Sequence, residues 1–119
     1  MVLVDTSIWV SHLRDGHPEL KKLLLEGKVV CHPFVIGELA CGSLENRKKI
    51  LRLLKALPMA QQASDEEVLY FIETHRLMGL RLGLIDVHLL ASALLSGIPL
   101  WTLDSPLRKA ACELGVSVE

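Results

Sequence analysis

The 119-residue sequence predicts one α/β domain, an α/β sandwich built on a short parallel sheet. Two observations carry that expectation. The chain opens on Val2-Leu3-Val4, an uninterrupted apolar and largely β-branched run of the kind found in strands covered on both faces. Similar short runs at 28–32 and 99–103 then alternate with longer helical stretches over short connections. There is no repeat, low-complexity tract or linker, so residues 1–119 are read as a single domain.

After the first strand, Thr6 and Ser7 offer the short polar side chains that start helices, and a helix is expected over 6–13. The turn Arg14-Asp15-Gly16-His17-Pro18 leads to a helix over 18–25, with proline in its first turn and Gly27 past its end. A second strand is expected over 28–32 and a helix from Pro33 to Gly42, with Glu38 in its middle. Asn46 opens an amphipathic helix whose Ile50, Leu54 and Leu57 face inward while Lys48, Arg52 and Lys55 face out, and Pro58 stops it. Residues 58–60 are assigned to an edge strand, where proline is tolerated. Ser64 and Glu67 form a capping box for a helix to about Met78. A glycine-bracketed loop, 79–83, precedes an apolar helix that ends near Gly97. Then follow a strand over 99–103, a helix capped by Asp104 or Ser105 and opened by Pro106, and a last short strand over 116–118.

Composition narrows the function. A formal net charge of -1 excludes a bulk basic surface, so nucleic-acid binding has to come from a local patch. With 4% aromatic residues, stacking platforms for single-stranded nucleic acid are not indicated. The three cysteines, Cys31, Cys41 and Cys112, contain no C-x-x-C pair and are read as small buried hydrophobes in a reducing compartment. No charged n-region or 18-residue apolar run occurs, and the stretch 84–95 is broken by Asp86 and His88. The expectation is a cytoplasmic protein without a membrane span.

Four acids are out of keeping with their apolar neighbourhoods: Asp5, Glu38, Asp86 and Asp104. Asp5 and Asp104 end strands, and right-handed crossovers bring the carboxyl ends of parallel strands to one edge, where α/β sheets place ligands. Glu38 and Asp86 reach that edge if their helices begin there. Each residue also has an ordinary explanation: Asp5 and Asp104 as helix caps, Asp86 as a first-turn complement to the helix dipole, Glu38 as a solvated helix residue. Four such coincidences in one small chain are less economical than one shared site. Two carboxylates about 4 Å apart repel by roughly 4 kcal/mol at an effective dielectric near 20, so a cluster of four calls for a cation. Oxygen ligands without His or Cys suit magnesium or manganese, which polarise water and phosphate oxygens. Metal-assisted hydrolysis of a nucleic-acid backbone is the matching chemistry.

Val4-Asp5-Thr6-Ser7, Glu38-Leu39 followed by Gly42, Asp86 opening a helix with Ala91 and Ala93, and Thr102-Leu103-Asp104 together resemble the PIN-domain ribonucleases. In length and motif order the chain is most similar to the VapC-type toxins of type II toxin-antitoxin systems. The resemblance spans essentially the whole chain. It implies a three-layer α/β/α fold with a parallel sheet of four to five strands in the order 3-2-1-4-5. It also implies cleavage of RNA with Mg2+ or Mn2+ held by Asp5, Glu38, Asp86 and Asp104, the first aspartate being supported by the hydroxyl of Thr6 or Ser7. Homodimerisation and a VapB-like antitoxin are implied as well. The chain departs from the family pattern at Leu103 and Leu107, which bears on how Asp104 is presented.

The alternative from another class is a catalytically inert PIN-like module that binds RNA or protein. A phosphatase reading fits poorly, because the chain runs Asp5-Thr6-Ser7 and lacks an acid-x-acid pair after the first strand. The five histidines show no i, i+4 pair of the zinc-enzyme type. His88 is placed on a different helical face from Asp86, and His12 or His17 is within reach of a substrate at the first loop. Arg81, Arg52 and Lys48 are the candidate RNA-phosphate contacts, Arg81 by its position just before Asp86 and the other two as an exposed basic face.

Overall fold

The computed structural model describes residues 1–118. Its centre is strand β1 (Val2–Val4), flanked by β2 (Val29–Val30) on one side and β3 (Leu100–Trp101) on the other, both parallel to it. Leu3 stands opposite Val30 and Leu100, and all three are buried. Full burial of an aliphatic side chain is worth about 1.5–3 kcal/mol, and an aliphatic strand covered on both faces collects that gain at successive residues. The main chain of β1 is tied on both sides: Val2 N–H donates to Lys28 O at 2.8 Å and Asp5 N–H to Trp101 O at 2.9 Å. Asp5 is thereby held at the carboxyl end of the middle strand.

The helices are α1 (Thr6–Asp15), α2 (Pro18–Leu25), α3 (Pro33–Cys41), α4 (Arg47–Lys55), α5 (Asp65–His75), α6 (Leu84–Ser96) and α7 (Ser105–Glu113). Helix α6 is buried from Val87 to Ala93, with Leu89, Leu90 and Ala93 fully enclosed, as its apolar sequence requires. Helix α5 starts on the expected capping box: Ser64 Oγ accepts Glu67 N–H at 3.1 Å and Glu67 Oε1 accepts Ser64 N–H at 2.9 Å.

Several boundaries differ from the sequence reading. The sheet has three strands, and the outer segments are reduced to one parallel bridge each, Cys31 with Met59 and Leu100 with Ser117. Pro58 has no N–H to extend its ladder, although its carbonyl accepts Cys31 N–H at 2.8 Å. Strands expected over 28–32 and 99–103 are shorter because their last residues turn to capping. His32 Nδ1 accepts Phe34 N–H at 3.0 Å at the start of α3, and Thr102 Oγ1 accepts Asp104 N–H at 3.0 Å. Helix α5 stops at His75 and not Met78, since Arg76 takes φ 52, outside helical geometry. Helix α1 runs two residues further than expected and ends where Gly16 adopts φ 80, a value glycine reaches without a steric penalty.

Of the cysteines only Cys31 is buried; Cys41 and Cys112 are exposed thiols. Cys41 is the last residue of α3, and Cys112 lies on α7 beyond the buried Leu107, Ala110 and Ala111. Among the described residues no helix is long and apolar enough to cross a membrane.

Candidate functional site

Asp5 is 5% exposed, and its Oδ2 accepts hydrogen bonds from Thr102 Oγ1 at 2.6 Å, Ser7 Oγ at 2.7 Å and Ser7 N–H at 3.4 Å. All three donors meet on one carboxylate oxygen. The two hydroxyls in turn accept main-chain donors from the segment after β3: Leu103 N–H reaches Ser7 Oγ at 3.0 Å, and Asp104 N–H reaches Thr102 Oγ1 at 3.0 Å. The ends of β1 and β3 are therefore stitched together through Asp5. Charge-assisted bonds of this kind are roughly twice as strong as neutral ones, and they hold a buried carboxylate ionised.

The sequence left open whether Thr6 or Ser7 supports Asp5; the answer is Ser7. Thr6 serves a different acid, donating from Oγ1 to Glu38 Oε1 at 2.6 Å. That bond pins exposed Glu38 on α3 to the first turn of α1. Asp86, half-buried in the first turn of α6, accepts Gly83 N–H at 2.9 Å through Oδ2. Asp104 caps α7, accepting Leu107 N–H at 3.1 Å. The ordinary explanations for Asp5, Asp86 and Asp104 thus hold as well: each bonds the backbone at a helix start.

Capping does not exhaust their role. Burial raises the Asp86 carboxyl above its ordinary pKa, the Gly83 hydrogen bond opposes that, and the charges of Asp5, Asp104 and Glu38 each raise it further. The other three acids are thus close enough to act on Asp86. Among the described residues, no lysine or arginine forms an ion pair with any of the four. The fold has gathered four carboxylates and left their mutual repulsion uncompensated by protein cations.

The other candidates divide. Arg81 lies in the loop that leads to Gly83 and is exposed. Lys48 and Arg52 are exposed on the side of α4 turned away from Asn46 and Ile50, the two α4 residues that share a cleft with Glu38. They are not brought to the acids. His88 is buried, stacked edge-on against Phe34 with centroids 4.7 Å apart. His12 Nδ1 accepts His17 N–H at 3.0 Å, and His17 packs on Trp101. Trp9 is in the core. The sequence reading missed Thr102 as a partner of Asp5. The parallel register, which sets Leu3 against Leu100 and so Asp5 against residue 102, was the signal available.

A parallel α/β sheet with four carboxylates at its carboxyl edge defines a class of small acid-cluster domains. The PIN domain family matches residues 2–112, and the chain belongs to that family. It is 44% identical over 119 residues to Ribonuclease VapC32 of Mycobacterium tuberculosis, strain CDC 1551 / Oshkosh, an alignment covering 99% of this chain and 96% of the relative. The VapC32 of strain ATCC 25618 / H37Rv matches with the same identity and coverage.

The donor set fits a hard divalent ion. Every candidate ligand is a carboxylate oxygen, and Asp86 experiences three like charges with no protein cation to offset them. Among the described residues no three His, Cys, Asp or Glu side chains close on a single point. That argues against a dedicated protein cage. It accords with an ion such as Mg2+, which keeps several waters and engages one or two carboxylates directly.

Proposed function

We propose that this protein is a Mg2+- or Mn2+-dependent endoribonuclease that hydrolyses RNA phosphodiester bonds, acting as the toxin of a VapC-type toxin-antitoxin pair. The observation that carries this reading is the meeting of four carboxylates without a protein counter-charge, in a chain 44% identical to a ribonuclease. Asp5, Glu38, Asp86 and Asp104 would hold the ion, which supplies Lewis-acid polarisation of water and phosphate oxygens. Ser7 and Thr102 fix Asp5 Oδ2 and keep it ionised, leaving its other oxygen for the ion. Thr6 orients Glu38 in the same way. The Gly83 N–H holds Asp86 against the repulsion of its neighbours, and the Leu107 N–H sets the rotamer of Asp104.

The finer fold and partner expectations belong to the same proposal. The bridges at Met59 and Ser117 continue the three strands on either side, which supports the order 3-2-1-4-5 within a three-layer α/β/α sandwich. Exposed Leu69, Tyr70, Leu94 and Leu95 on α5 and α6 support a homodimer. An apolar groove formed by α1, α2 and α4, including Leu24, Ile50 and Leu53, supports a VapB-like antitoxin. The proposed setting is the cytoplasm.

The test is cleavage of a mixed RNA pool by the purified protein. Cleavage is expected with Mg2+ or Mn2+, is expected to stop in EDTA and to return when either ion is added back. Cleavage that persists in EDTA, or none with either ion, would overturn the reading; the latter would leave the inert PIN-like binding module.

A further inference from the structure

We propose that Arg81 and Lys109 together hold a phosphate of the RNA strand beside the bond that is cut, a reading that rests on the ribonuclease function above. The first observation is conformational. Arg81 adopts φ 62, the left-handed region that a long branched-at-Cα side chain enters only against steric resistance, within a loop that already contains two glycines. Backbone held in such a region is found preferentially where a side chain must be aimed at a ligand.

The second observation is the surface that this loop forms. Arg81 lines a cleft of about 250 Å³ whose opposite wall is α7, contributed by Pro106, Lys109, Ala110 and Glu113. The α7 residues recur at i, i+3, i+4 and i+7, so Lys109 shares the helix face turned toward the loop. Among the described residues neither Arg81 nor Lys109 is engaged in an ion pair. Each wall is continuous with a segment that carries a site acid: Gly83, two residues after Arg81, donates to Asp86, and Asp104 caps the helix bearing Lys109.

A nucleic-acid strand that approaches four carboxylates is repelled by them, and a bound ion offsets that only where it sits. The adjoining phosphates need cations of their own. A planar guanidinium suits two oxygens of one phosphate, while the ammonium of Lys109 acts as a mobile point charge on the same group. Glu113, in the same cleft, disfavours extension of the strand past this one phosphate. Such a contact positions the backbone without reading bases, so it sets the register of the RNA over Asp86 and Asp104.

The test is fluorescence anisotropy of a labelled single-stranded RNA in EDTA, which stops cleavage, across a salt series. Each cation lost from a phosphate contact lowers the slope of log K against log salt by about 0.7. The double variant Arg81→Gly with Lys109→Ala is expected to lose about 1.4 from that slope and on the order of tenfold in affinity. Arg81→Lys is expected to keep the slope. Because glycine relieves the backbone at φ 62, Arg81→Gly alone is expected to melt no lower than wild type while binding RNA more weakly, which separates a lost contact from a damaged fold. Wild-type affinity and slope in the double variant would overturn the proposal. If wild type cuts RNA and the double variant binds like it, only this phosphate contact falls. If wild type binds through these residues but does not cut with Mg2+ or Mn2+, only the nuclease reading falls. If it neither binds nor cuts, both fall.

Discussion

Asp5→Asn is expected to abolish RNA cleavage while leaving the protein folded. Asparagine keeps an oxygen where Thr102 Oγ1 and Ser7 Oγ now donate at 2.6 and 2.7 Å, so the stitch between the ends of β1 and β3 survives. What is lost is the negative charge at the most buried of the four acids. Removing a group that merely supports a metal ligand costs about 10–100-fold in affinity or activity, and loss of a direct ligand should exceed that range. The expected result is a drop of more than about 100-fold in cleavage rate at fixed Mg2+. The thermal midpoint should stay within a few degrees of wild type, as for a substitution worth about 1 kcal/mol or less. Wild-type cleavage by the folded variant would remove Asp5 from the mechanism.

The second large effect concerns acid stability. His32 is completely buried, and its Nδ1 accepts the Phe34 N–H at the start of α3 while its Nε2 has no hydrogen-bond partner. Burial, followed by the nearby charge of His88, lowers its pKa from 6.5 to about 4. The neutral ring is the form that caps the helix. Protonation takes away the acceptor and sets a cation against the positive end of the helix dipole. Since the folded pKa lies below the unfolded one, between pH 6.5 and 4 the unfolded chain binds the extra proton. Stability is complete above pH 6.5 and is lost as pH falls toward 4.

One pKa unit corresponds to about 1.4 kcal/mol, so wild type should lose on the order of 2 kcal/mol to His32 by about pH 5. Urea unfolding at about pH 7.5 and pH 5 measures this, with His32→Asn as the non-titrating comparison. Asparagine is a good N-cap and can accept the same N–H. The wild-type loss should exceed the variant's by that amount, and equal losses would exclude His32 as the source. The functional consequence is that α3, which carries Glu38, is loosened first.

The residues that show through the sequence are those whose local surroundings conflict with their chemistry. Asp5 after Val-Leu-Val, and Asp86 within an apolar run, stand out because a charge there needs a physical reason. The central strand was equally visible, because an unbroken aliphatic run has few other uses. The capping box at Ser64 and Glu67 is likewise a purely local device. What did not show depended on distance in the chain. Thr102 meets Asp5 across 97 positions, and nothing local to Thr102 marks it as that partner. The division of labour between Thr6 and Ser7 depends on where α3 places Glu38, which adjacent residues cannot encode. Strand ends were overestimated at His32 and Thr102, since apolar pattern does not reveal that both residues are committed to capping. Lys48 and Arg52 looked relevant because charge is legible in sequence, whereas the side of α4 that meets Glu38's cleft is not.

The account turns on whether the four carboxylates act as one cation site. Isothermal titration of Mn2+ into metal-free protein at neutral pH measures that directly, with the Asp5→Asn and Asp86→Asn variants run beside wild type. The expected result is saturable heat in wild type that is strongly reduced in each variant, because Asp86 lies within the field of all three other acids. Absence of binding in wild type, or identical isotherms for all three proteins, would contradict it.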